Sequence, residues 1–141
     1  MNQDIKSVMT PHPYNIGIHA GIVEARTLML THNIHHLAVM DGANLQGLIT
    51  DRDIDLVLDT NLGNTNAEKI TVQDIMFEEP YIVNIDTSLV TILDKLAEHH
   101  IGTALVTEND TLAGIFSASD ACRELSKRIK HENARTSRPA E

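Results

Sequence analysis

The stretch Gly47-Leu48-Ile49-Thr50-Asp51-Arg52-Asp53 returns 67 residues later as Gly114-Ile115-Phe116-Ser117-Ala118-Ser119-Asp120. Both words read glycine, two apolar residues, a hydroxyl, two variable residues and aspartate. Outward from them the offset holds without a gap. Met76 falls on Met9, Pro80 on Pro13, Tyr81 on Tyr14, Ile85 on Ile18, Val90 on Val23, His99 on His32, Ile101 on Ile34, Val106 on Val39 and Leu112 on Leu45. A fixed-offset repeat marks one supersecondary unit used twice, with each copy burying its apolar face against the other. Functional residues are then expected in pairs.

The pattern around each word gives the unit. Tyr14 to Ile18 reads as extended, and Ile22 to His32 carries Ile22, Ala25, Met29 and Leu30 at helical spacing. Leu37 to Met40 and Leu45 to Thr50 read as strands around an Asp41-Gly42 turn, and a helix follows from Asp51 to about Leu58. The second half repeats this with a helix at Leu89 to His99, strands at Ala104 to Thr107 and Leu112 to Phe116 around Asn109-Asp110, and a helix from Ala118. Each unit is thus β-α-β-β-α, an α/β (α+β) fold. The first repeat is placed at residues 8–58 and the second at 75–125. The linker is placed at 59–71, where Asn61, Gly63, Asn64 and Asn66 gather, and residues 126–141 read as a helix end that frays from Asn133.

Composition narrows the function classes. At 141 residues the chain suits one shared core rather than two separate domains of ordinary size. No apolar run is long enough for a membrane span, and no signal peptide is visible. The single cysteine, Cys122, cannot close an intrachain disulfide and fits a reducing cytoplasm. Residues 1–122 carry 17 acidic side chains against Lys6, Arg26, Arg52, Lys69 and Lys95, a balance of −12, whereas the remainder balances at +3. So acidic a body repels a nucleic-acid backbone, and neither nucleic acid nor membrane is an expected partner.

The element order and the words resemble the cystathionine-β-synthase (CBS) domain, from about Val8 to Leu125. Val8-Met9-Thr10-Pro11 opens the first copy, Ile34-His35-His36-Leu37-Ala38-Val39-Met40-Asp41 fills its central strand, and Gly47 to Asp53 closes it. Ala38 stands where the family often has proline. The second copy is looser, through Ile75-Met76-Phe77 and Ile101-Gly102-Thr103-Ala104-Leu105-Val106. The resemblance implies a tandem CBS pair with pseudo-twofold symmetry and two clefts. It also implies pairing into homodimers and binding of AMP, ADP, ATP or S-adenosylmethionine, with or without Mg²⁺. Such modules are regulatory, in signal transduction, and are not enzymes. Nothing beyond the module is read in this chain, so the regulated protein is expected to be a separate molecule. The alternative is a ligand-free dimerisation or adaptor module.

Carried over residue by residue, the resemblance gives a first set of Ile16, His35, His36, Leu37, Ala38, Thr50, Arg52 and Asp53. The second set is Val83, Thr103, Ala104, Leu105, Ser117, Ser119 and Asp120. Ile16, Leu37 and Ala38, with Val83, Ala104 and Leu105, would line adenine, although apolar strand residues are more often simply core. A hydroxyl three residues before an aspartate at a strand-to-helix junction is also a capping box, which explains the spacing without any ligand. The same geometry offers unpaired N–H groups to phosphate and a carboxylate to a ribose diol. A cation on a first helical turn opposes the dipole, so Arg52 has either a phosphate or an acidic neighbour, Asp51 or Asp55, to meet. Its counterpart is Ser119, so the two clefts are expected to differ.

His35 and His36 could donate to an anion in a way that strengthens on protonation, whereas Gly102-Thr103 has no group that gains a charge. His32, His35 and His36 also suggest a metal, but adjacent strand residues face opposite ways and further ligands are missing, so no metal site is assigned. Asp51, Asp53 and Asp55 do not share one helix face and are not read as a Mg²⁺ site. No nucleophile elbow, P-loop or dinucleotide turn is present, and no catalytic residue is assigned.

Overall fold

In the computed structural model, which describes residues 4–60 and 65–136, the expected elements appear in the expected order. The chain runs α1 (Ile5–Val8), β1 (Thr10–Pro11), β2 (Asn15–Gly17), α2 (Ile22–His32), β3 (His36–Asp41), β4 (Asn44–Thr50) and α3 (Asp51–Thr60). A 3-10 helix (Thr65–Lys69) precedes α4 (Val72–Ile75), β5 (Tyr81–Asn84), α5 (Leu89–Glu98), β6 (Thr103–Glu108), β7 (Thr111–Ser117) and α6 (Ala118–Thr136). Of the segment read as a linker, residues 61–64 lie outside the described residues. Helix α6 continues past Asn133, where fraying was expected, to Thr136, and residues 137–141 of the tail lie outside the described residues.

The 67-residue offset holds in the backbone as well. Strand β2 runs parallel to β3 with Asn15 opposite Ala38, and β5 runs parallel to β6 with Ile82 opposite Leu105. Helix α2 ends at Asn33 (φ 52°), and the matching left-handed residue beyond α5 is His100 (φ 52°). The N–H of Ile34 then returns to the Met29 carbonyl at 3.0 Å, and that of Ile101 to the Leu96 carbonyl at 3.1 Å. A left-handed residue followed by such a returning bond is how a helix commonly closes before a strand.

The chain forms two compact bodies, and one feature of them was not visible in the repeat. His12–Pro80, with Asn109–Leu112, makes one body around the sheet β2-β3-β4. The N-terminal segment to Pro11, Tyr81–Glu108 and the chain from Ala113 make the other around the sheet β1-β7-β6-β5. Each repeat's lead segment therefore belongs to the body of the other repeat. Thr10 pairs with Ile115, and its offset counterpart Phe77 bridges to Leu48, the counterpart of Ile115. Val72 lies in the core with Ile16, Ile22, Met29, Leu37, Val39, Ile49 and Ile54. Its counterpart Ile5 lies in the core with Val83, Leu89, Ile92, Leu96, Ala104, Val106 and Phe116.

This exchange explains the glycine that opens each word. A β-carbon on Gly47 would stand 2.6 Å from the Phe77 carbonyl oxygen and 2.9 Å from Sδ of Met76, and one on Gly114 would collide with Met9. The lead segments pair alongside β7 and β4 at these points, and only hydrogen fits against them.

Candidate functional site

The first word places its groups where β4 passes directly into α3. The Asp51 N–H donates to the His35 carbonyl at 3.0 Å, which fixes the end of β3 against the start of the helix. The Asp53 N–H donates to Thr50 Oγ1 at 3.2 Å, so Thr50 caps α3. Among the described residues, the half-buried Asp53 carboxylate makes no hydrogen bond. Only one arm of the expected box is closed.

The acids beside Arg52 are already engaged. Asp51 Oδ2 meets His35 Nδ1 at 2.7 Å, and Asp55 Oδ1 meets Arg26 Nε at 3.0 Å. Burial pushes the Asp51 carboxyl up. The His35 hydrogen bond and charge, the Arg52 backbone N–H and the charge of Arg26 outweigh burial and hold it below the ordinary value of 3.8. Arg52 itself is exposed, and its guanidinium has no acidic partner among the described residues. Of the two explanations for its position, pairing with Asp51 or Asp55 is not what the structure holds. His36 is half-buried on β3 opposite Thr50, while His32 stacks on Tyr14 with ring centroids 3.9 Å apart. Among the described residues no three His, Cys, Asp or Glu side chains converge as a metal site.

The second word has the same backbone and a different electrostatic state. Ala118 N–H donates to the Gly102 carbonyl at 2.8 Å, matching Asp51 and His35. Here the box is reciprocal, with Asp120 N–H to Ser117 Oγ at 3.1 Å and Ser117 N–H to Asp120 Oδ2 at 2.8 Å. Asp120 Oδ1 is also paired with the guanidinium of Arg123, one helical turn on. Ser119 is exposed, and Thr103 is buried on β6.

The residues expected against adenine are closed in. Leu37, Ala38, Ala104 and Leu105 are fully buried, and Ile16 and Val83 nearly so. Ile16 and Leu37 belong to one core cluster, Val83 and Ala104 to the other. A cleft of about 700 Å³ passes Ile16 between β2 and α2, but Thr50, Arg52 and Asp53 do not line it. A second cleft, of about 720 Å³, lies beside Lys6, Asp86 and Leu93 in the other body and holds none of the expected residues. Thr50, Arg52 and Asp53 are therefore brought together at the start of α3 with His35 and His36 nearby, whereas the side chains of the apolar set are buried within their own bodies.

The sequence profile of the CBS domain matches the chain twice, over residues 5–59 and 72–127. The chain belongs to the CBS domain family. It is 32% identical over 118 residues to the uncharacterized Bacillus subtilis protein YlbB, covering 82% of this chain and 78% of that one. The CBS domain pair of protein MJ0100, solved in complex with 5′-methylthioadenosine and S-adenosyl-L-methionine, matches at a TM-score of 0.76 and 25% identity, over 87% of this chain and 99% of that one. The Vibrio cholerae protein AcuB shares the fold at a TM-score of 0.81 and 22% identity, over 99% of this chain and 100% of its own. The two β-α-β-β-α units are thus those of a CBS pair.

Three contacts that shape the two CBS words were not read from the sequence. Arg26 reaches Asp55 from α2 across 29 positions, a contact with no local signature. The pairing of His35 with Asp51 spans a hairpin. Arg123 could have been found, because a cation three residues after Asp120 on a helix lies on the same face. Its offset counterpart is Leu56, so the 67-residue repeat gives it no matching cation.

Proposed function

We propose that the protein is a regulatory module that binds an adenosine compound of the AMP, ADP, ATP or S-adenosylmethionine class at the first CBS word and acts on a separate partner protein. The observation that carries this is the state of α3's first turn. Arg52 is exposed without an acidic partner among the described residues, the Asp53 carboxylate accepts no hydrogen bond among them, and both acids that could have neutralised Arg52 are held by His35 and Arg26. A phosphate would meet Arg52 and the helix N-terminus, and a ribose diol would meet Asp53. The adenosine ligands bound by MJ0100 support the same ligand class.

Adenine itself would use backbone groups near Ile16 and Ala38, since the side chains there are core. The working form is a cytoplasmic homodimer. Val23, Leu30, Leu56, Val90, Leu125 and Ile129 are exposed on helices, and symmetric pairing is the common way to cover such apolar surface.

One observation favours the ligand-free adaptor. The second box is satisfied internally, which accounts for the word's spacing by capping alone. Calorimetric titration with AMP, ATP, S-adenosylmethionine and adenosine separates the two readings. Heat of binding that saturates with any of them supports the sensor, and its absence for all of them leaves the adaptor.

A further inference from the structure

We propose that Arg123 is a built-in competitor for ribose at the second CBS word, holding Asp120 so that the adenosine compound is taken at Thr50–Asp53 in preference to Ser117–Asp120. The inference rests on the ligand class proposed above and concerns how the second copy of the site is regulated.

A carboxylate that grips a ribose diol must offer both oxygens to the two hydroxyls. In the second word Oδ2 of Asp120 already accepts the Ser117 N–H at 2.8 Å, and Oδ1 is held by Arg123. Each oxygen keeps a further lone pair, so capping alone does not close the site. The guanidinium does more, because it occupies the space in front of Oδ1 and supplies the donor that a ribose hydroxyl would supply. In the first word the same place along the helix is taken by Leu56, which has no donor and is exposed, and Asp53 is left open. Two words with one backbone geometry thus differ in whether their aspartate is available, through the Ser117 N–H that closes the second box and the Arg123 guanidinium in front of Oδ1.

The competition is graded rather than absolute. The Arg123 side chain is 72% exposed. Breaking an ion pair of this kind shifts an equilibrium by about 1.4-fold to 5-fold. Because the pair is screened by salt, its hold on Asp120 relaxes as ionic strength rises. Uncharged adenosine is the right probe, since its own binding has no phosphate to screen.

The test uses the full chain and titrates adenosine by calorimetry into the wild type, Arg123→Ala, Asp53→Asn and the double variant Asp53→Asn/Arg123→Ala. Asp53→Asn silences the first word and leaves its helix cap, which Thr50 supplies. On that background, Arg123→Ala is expected to tighten adenosine by about 1.4-fold to 5-fold. Leu56→Arg is expected to weaken the first word by a similar factor. An unchanged affinity in the double variant overturns the proposal, and so does a weaker one, which would make Arg123 a ligand contact. If the wild type binds but both variants carrying Asp53→Asn do not, the proposal falls and the first-word reading stands. If the wild type does not bind but Arg123→Ala does, the first-word reading and the preference for it fall, and the block of Asp120 by Arg123 stands. If nothing binds, both fall.

Discussion

Replacing Gly47 by alanine should cost far more than its place on a strand suggests, and more than the same change at Gly114. The β-carbon introduced by Gly47→Ala would sit 2.6 Å from the Phe77 carbonyl oxygen. That is short of an ordinary carbon–oxygen contact by about 0.7 Å. Phe77 cannot withdraw freely. Its carbonyl accepts from the Leu48 N–H at 3.1 Å, and its own N–H donates to the Leu48 carbonyl at 2.8 Å. A retreat of that size stretches the first bond beyond its range, which costs about 0.5–1.5 kcal/mol. Overpacking against Met76 adds about 1–3 kcal/mol, for a total of about 1.5–4.5 kcal/mol. At Gly114 the obstructing atoms all belong to the Met9 side chain, a flexible thioether that can turn aside. The expected loss there is about 1–2 kcal/mol, and Met9→Ala in the same chain should recover part of it. Urea unfolding followed by circular dichroism reads these differences. A Gly47→Ala protein within about 0.5 kcal/mol of the wild type, or a larger loss at Gly114, would refute the exchange of lead segments as the reason for these glycines.

Three further outcomes are expected. Arg52→Ala should weaken AMP or ATP by about 1.5–3 kcal/mol, the scale of a charged hydrogen bond, and leave adenosine nearly unchanged; equal losses for both would place Arg52 away from phosphate. Because the folded Asp51 carboxyl is held below its ordinary value, its contribution to stability is present above about pH 4 and is lost as pH falls through the folded value. Asp51→Asn should therefore cost up to about 1 kcal/mol at neutral pH and converge with the wild type in acid, and a gap that widens as pH falls would reverse the assignment. Sedimentation at micromolar concentration should give a dimer, with Leu30→Glu and Leu125→Glu shifting it toward monomer; a monomeric wild type would leave the exposed helix faces without their proposed cover.

Much of this molecule was legible in its sequence because the repeat has no gap. Helical spacing at Ile22, Ala25 and Met29 and the turn residues Asp41-Gly42 and Asn109-Asp110 locate the elements to within a residue or two. What the offset could not carry is partnership. Met9 and Met76 are equivalent in sequence whichever sheet they pack on, so the exchange of lead segments leaves no mark in the pattern. Arg26 with Asp55 and His35 with Asp51 are likewise contacts between elements, and the sequence showed only that Arg52 had acids nearby. The hydroxyl and aspartate of each word were readable as a cap or a ligand site, and the structure separates the two copies. Ser117 and Asp120 satisfy each other and Asp120 also holds Arg123, whereas Thr50 caps and leaves the Asp53 carboxylate open.

Whether the first turn of α3 receives the adenosine compound is tested most directly by an amide-resolved NMR titration of the full chain with AMP. The largest shifts should fall on the backbone N–H groups of Asp51, Arg52 and Asp53 and on Arg52 Nε, with smaller ones at Ser117 to Asp120. Saturable shifts confined to other elements, or none anywhere at millimolar AMP, would contradict binding at that turn.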